Sequence, residues 1–96
     1  MSRTNAAVSS TMLHVLLQTM AEGKIQPHNM LTSVSADVPV VLNGWSGKYV
    51  KRAPGDFLVT STRDGNEEAN IPCSSAVEAK MTLLQLAADE IKNKPH

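Results

Sequence analysis

The order of periodic segments predicts an α+β fold: a two-layer domain with an N-terminal helix, a three- or four-stranded antiparallel sheet and a C-terminal helix. Three observations carry this. Apolar residues recur at helical spacing at both ends of the chain, and β-rich runs separated by turn pairs fill the middle. A sheet of this kind needs cover on one face, and two amphipathic helices are available to supply it. The 96 residues, 42% of them hydrophobic, suffice for one core, so a single domain over residues 1–96 is expected.

The first helix is expected from about Asn5 to Glu22, with its start between Thr4 and Ser10. Val8, Met12, Val15, Leu16 and Met20 form its apolar stripe, widened by Leu13 and Leu17, and Thr11, His14, Gln18 and Glu22 lie opposite. Gly23 suits the left-handed position after the helix, and Lys24 and Pro27 mark the exit. Residues 24–37 read as a loop packed across one end of the core, in which Met30, Leu31 and Val34 supply one helical turn.

Val38, Val40, Val41 and Leu42 form a first strand, with Pro39 best tolerated on an edge. Asn43-Gly44 supplies the left-handed dihedrals of a two-residue hairpin turn, which Ser46-Gly47 would lengthen or bulge. A second run, Lys48 to Arg52, ends at the turn pair Pro54-Gly55. Phe57 to Thr62 is the strongest strand, Arg63-Asp64-Gly65-Asn66 closes it, and Asn70-Ile71-Pro72 adds a short fourth. The last helix spans Ser75 to Asn93, with Ser75 and Glu78 as a capping box and Val77, Met81, Leu84, Ala88 and Ile91 on its apolar face. Leu83, Leu86 and Ala87 flank that face, and Leu83 and Leu86 outside it suggest a homodimer.

The composition argues against most chemistries. Nine basic residues balance nine acidic ones, which excludes a strongly basic nucleic-acid protein. One cysteine excludes an intramolecular disulfide framework, and with no apolar run near ~18 residues no membrane span is expected. The N-terminus makes a poor signal peptide, so a cytoplasmic location is expected. His14, His28 and His96 show no convergent spacing, and no HExxH, CxxC or phosphate-cradling glycine motif occurs. The adjacent Glu67-Glu68 reads as a solvated turn, and the lone Cys73 as a small buried hydrophobe. No catalytic residue, metal or cofactor is assigned, and the chain is expected not to be an enzyme.

One asymmetry points to binding. All three aromatic residues, Trp45, Tyr49 and Phe57, fall between positions 45 and 57. Residues 45–63 hold Lys48, Lys51, Arg52 and Arg63 against Asp56 alone, whereas residues 64–96 carry a net charge of −3. The expected partner-binding residues are Trp45, Lys48, Tyr49, Lys51 and Arg52, with Tyr49, Lys51 and Arg52 on the exposed side of a hairpin. Tyr, Trp and Arg often dominate interfaces, and a protein partner with an acidic surface fits the charges. The alternative is a small oligomeric nucleic-acid-binding protein, less favoured because three or four phosphate contacts give only a salt slope of roughly −3.

The segment PGDFLVTSTRDG, residues 54–65, resembles a turn-strand-turn element of small phage and mobile-element proteins of unknown activity. The resemblance covers twelve residues made mostly of generic turn chemistry. It implies a phage-type accessory protein that binds and inhibits a host protein.

Overall fold

The computed structural model describes residues 10–93. Helix α1 (Ser10–Ala21) is followed by a 3₁₀ helix (Pro27–Ser33), then strands β1 (Val40–Leu42), β2 (Trp45–Ala53), β3 (Asp56–Arg63) and β4 (Asn66–Cys73), and helix α2 (Ala76–Asn93). The strands form one antiparallel sheet in the order β1-β2-β3-β4. This is the expected α+β architecture with the four-stranded alternative realised. The part of the first helix expected at residues 5–9, Val8 included, lies outside the described residues.

Turn chemistry sets the meander. Asn43 and Gly44, at φ 39° and 87°, join Leu42 to its partner Trp45, and Asp64 and Gly65, at 54° and 85°, join Arg63 to Asn66. Paired left-handed residues match the natural twist of the strands, which is why Asn-Gly and Asp-Gly serve here. Gly23, at φ 81°, ends α1: its amide donates to the Met20 carbonyl at 2.9 Å and that of Lys24 to Thr19 at 3.1 Å. That pair of bonds is a Schellman closure.

Several expected boundaries move. Ser46 and Gly47 lie inside β2 and do not extend the turn; the irregularity falls instead between Lys51 and Ala53. The fourth strand is eight residues long, because pairing with β3 captures Glu67, Glu68 and Ala69 despite their weak strand preference. A bulge opposite Ser61 and Thr62 absorbs the extra residue, so Glu67 and Glu68 belong to a strand and not to a solvated turn. In α2 the fully buried positions are Ala79, Leu83, Leu84, Ala87 and Ala88, while Val77 is 50% exposed. The apolar arc is therefore rotated toward the alanines, whose small side chains let helix and sheet approach closely. Leu83 belongs to the core and gives no reason for a homodimer.

The core lies between the sheet and the helical layer. Trp45, Gly47 and Tyr49 on β2, Phe57, Val59 and Ser61 on β3, and Cys73 on β4 are buried toward α2. Helix α1 packs chiefly on α2, contributing Leu17 and Met20, and the 3₁₀ helix adds Met30. Among the described residues no helix packs against the opposite sheet face. Paired positions across the strands place Val41, Ser46, Lys48, Val50, Leu58, Thr60, Thr62, Asn70 and Pro72 there.

Candidate partner-binding surface

Strand alternation divides the expected binding residues. Successive side chains on a strand point to opposite faces, so Trp45 and Tyr49 turn inward together while Lys48 and Arg52 turn outward. Trp45 is 2% exposed and Tyr49 4%, with the Tyr49 ring centroid 6.4 Å from that of Phe57. The expectation that Tyr49 stands on the exposed side of the hairpin is thereby corrected, as is the grouping of Trp45 with the contact residues. Both are core residues because three aromatic rings are the largest apolar groups available to a small two-layer fold.

Of the expected binding residues, Lys48, Lys51 and Arg52 remain at the surface, all exposed. The Arg52 guanidinium donates to Asp56 Oδ1 through Nη2 at 2.6 Å and Nε at 3.2 Å, so much of its charge is answered within the hairpin. Among the described residues neither Lys48 nor Lys51 makes an ion pair. Lys48 occupies the open face beside the row in which Val50 pairs with Leu58 and Leu58 with Pro72. Val50 and Leu58 are half-buried and Pro72 is exposed, giving a modest apolar strip under one cation. Lys51 has the opposite parity and pairs with Phe57, so it stands at the rim beyond Tyr49.

Arg63 leaves the basic group altogether. Its guanidinium spans two carboxylates, donating to Glu68 Oε2 at 2.7 Å and to Glu90 Oε1 at 3.1 Å. These contacts tie the end of β3 to the β4 bulge and to α2, and both raise the Arg63 pKa above its ordinary value. No sequence spacing announces this triad, since Glu90 is 27 residues away.

The chemistry elsewhere is sparse. His14 on α1 and His28 on the 3₁₀ helix are both exposed, and His96 lies outside the described residues. Among the described residues no three His, Cys, Asp or Glu side chains gather as a metal site. Cys73 is buried at the end of β4, its thiol 3.8 Å from the Ile71 carbonyl and 3.7 Å from the Thr82 hydroxyl. A cleft of about 230 Å³ between the end of α1 and α2 is lined by Met20, Ile25, Pro27 and Ala88, with Asp89 and Lys92 at its rim. That is below the roughly 300 Å³ at which small-molecule pockets begin. No helix among the described residues is long and apolar enough to cross a membrane. Comparison with protein-family models, with curated proteins and with solved structures finds no match to this chain.

Proposed function

We propose that this chain is a non-enzymatic protein-binding module that presents the outer side of β2 and the adjoining open sheet face to an acidic partner. One observation carries the reading: Lys48, which has no ion-pair partner among the described residues, shares the open face with the half-buried Val50–Leu58 pair, and Lys51, equally without one, stands at the rim of β2 on the opposite face. An apolar strip beside one unanswered cation, with a second at the strand's rim, suits a surface that excludes water at its centre and steers an oppositely charged partner at its edge. The contact residues in this reading are Lys48, Val50, Lys51, Arg52 and Leu58.

The burial of every aromatic ring favours a protein over a nucleic acid. Single strands are held by bases stacked on exposed rings, and Trp45, Tyr49 and Phe57 are all in the core. A cytoplasmic setting and inhibition of a host protein by a phage-type accessory factor are the finer parts of this proposal. The latter rests on the resemblance of residues 54–65, which form β3 with its two flanking turns.

The test is parallel affinity capture from nuclease-treated lysate with the parent chain and a Lys48→Glu/Lys51→Glu variant, followed by quantitative mass spectrometry. The proposal expects a protein retained by the parent and depleted by the variant. Capture that vanishes with nuclease favours the nucleic-acid alternative, and equal capture by both chains moves the interface off β2.

A further inference from the structure

We propose that the open edge of β4 is a strand-addition site for an extended segment in which basic and apolar residues alternate. This surface is distinct from the one assigned to the acidic partner. β4 ends the sheet, so among the described residues none of its eight positions has a strand neighbour on the outer side.

The register says which backbone groups face outward. The Asp64 amide donates to the Gly44 carbonyl toward β2, so Arg63 directs its own groups toward β4. Alternation then makes Arg63–Asn66, Ser61–Ala69, Val59–Ile71 and Phe57–Cys73 the hydrogen-bonded pairs. Asn70 is left with both its amide and its carbonyl turned outward. Pro72 is outward as well, where its missing N–H breaks no bond within the sheet.

A partly apolar margin accompanies this edge. On its covered side Ala69 and Ile71 are half-buried, and α2 runs alongside with Thr82, Leu86 and Glu90 one turn apart. The contact of Thr82 with Cys73 and that of Glu90 with Arg63 fix this side of the helix over the strand. Leu86 and Ile71 are both partly exposed in the packing between helix and strand, so an added strand has apolar surface to meet with every second side chain.

Charge selects the occupant. Asp64, Glu67, Glu68 and Glu90 gather toward the Asn66 end of the edge, and among the described residues Arg63 is the cation that pairs with carboxylates there. Glu67 pairs with Thr62 and therefore belongs to the open-face side of the added strand, opposite the face that α2 covers. An extended segment alternating basic and apolar residues would place cations toward Glu67 and apolar side chains toward Ile71 and Leu86. A second copy offering its own β4 would instead bring two acidic edges together.

The experiment uses the full chain and a synthetic probe, acetyl-Lys-Val-Lys-Val-Lys-Val-amide, with the glutamate counterpart as control. Binding is followed by titration and by amide hydrogen exchange. The proposal expects saturable binding of the lysine peptide with slowed exchange at the Asn70 amide. N-methylation of one alternate set of peptide residues should weaken binding about tenfold or more, and the other set should not, since only one set faces the strand. Glu67→Lys, at an exposed position, should weaken the lysine peptide and favour the glutamate one. Binding indifferent to which set is methylated, absence of slowing at Asn70, or protection of Asn70 by self-association without peptide each overturns the proposal.

Discussion

The Trp45 indole lies across the α-carbon of Gly47, two residues along the same face of β2. A β-carbon on Gly47 would stand 2.5 Å from Cη2 of Trp45 and 2.9 Å from Cδ1 of Leu83. Gly47 lies outside the left-handed region, so its role is to leave space. Trp45 and Leu83 are both almost fully buried and cannot move aside into solvent. Gly47→Ala should therefore destabilise the fold by roughly 1–3 kcal/mol through overpacking. Denaturant unfolding followed by the emission of the single tryptophan measures it directly, and an unchanged midpoint would refute the account.

Tyr49 gives a second, spectroscopic test because it is the only tyrosine in the chain. Burial, and then the charge of Asp37, hold its phenol above the ordinary pKa of 10.0. The folded value is raised, so the contribution to stability is complete below the unfolded tyrosine pKa and is lost as pH rises through the folded one. Absorbance titration of tyrosinate should show a native midpoint above 10 that returns toward 10 in denaturant. Asp37→Asn should lower the native midpoint without restoring it fully, since burial is the larger cause. Tyr49→Ala should cost about 3 kcal/mol or more as a large core truncation, so any loss of partner binding in that variant would follow from lost stability.

How much of this was readable from the chain depends on the range of each interaction. The three hairpin turns were legible because Asn43-Gly44, Pro54-Gly55 and Asp64-Gly65 carry their dihedral preferences locally. So were the end of α1 at Gly23 and the existence of α2. The extent of β4 was not, because Glu67 and Glu68 acquire strand conformation only by pairing with β3. The interface residues were misgrouped for a related reason. A run such as Trp45 to Arg52 contains both faces of a strand, and only the register with β3 and the position of α2 say which face is inward. The Arg63 triad and the packing of α2 beside β4 depend on contacts far apart in sequence, for which no local pattern exists.

The Arg63 triad should behave as a coupled unit. Arg63→Ala removes the contacts to Glu68 and to Glu90 together, loosening the β4 bulge and the end of α2 at once. Because the guanidinium is exposed, the coupling is expected to weaken as salt rises. A double-mutant cycle of Arg63→Ala with Glu90→Gln, run at low and high ionic strength, should give a favourable interaction that shrinks with salt. Strictly additive effects at low salt would mean that the bridge contributes nothing.

The N-terminus of α2 predicts the acid limb of stability. The sequence pattern suggests a reciprocal capping box between Ser75 and Glu78, and half of it forms: the Glu78 amide donates to Ser75 Oγ at 3.1 Å. The carboxylate reaches one residue further back, where the Ser74 amide and hydroxyl both donate to Glu78 Oε1 at 2.9 Å. These two bonds, the backbone one first, hold the Glu78 pKa below the ordinary carboxylate value. With the folded value depressed, the stabilisation is present above the unfolded pKa and is lost as pH falls through the folded one. Glu78→Gln should lower stability at neutral pH and flatten the decline on acidification, because the variant no longer carries the carboxylate whose protonation weakens the cap. Ser75→Ala should cost about 1 kcal/mol at every pH, since the hydroxyl that it removes does not titrate. Stability curves between neutral and acid pH for the parent and both variants separate the two roles. If Glu78→Gln declines on acidification as steeply as the parent, the charged cap is not what the acid limb reports.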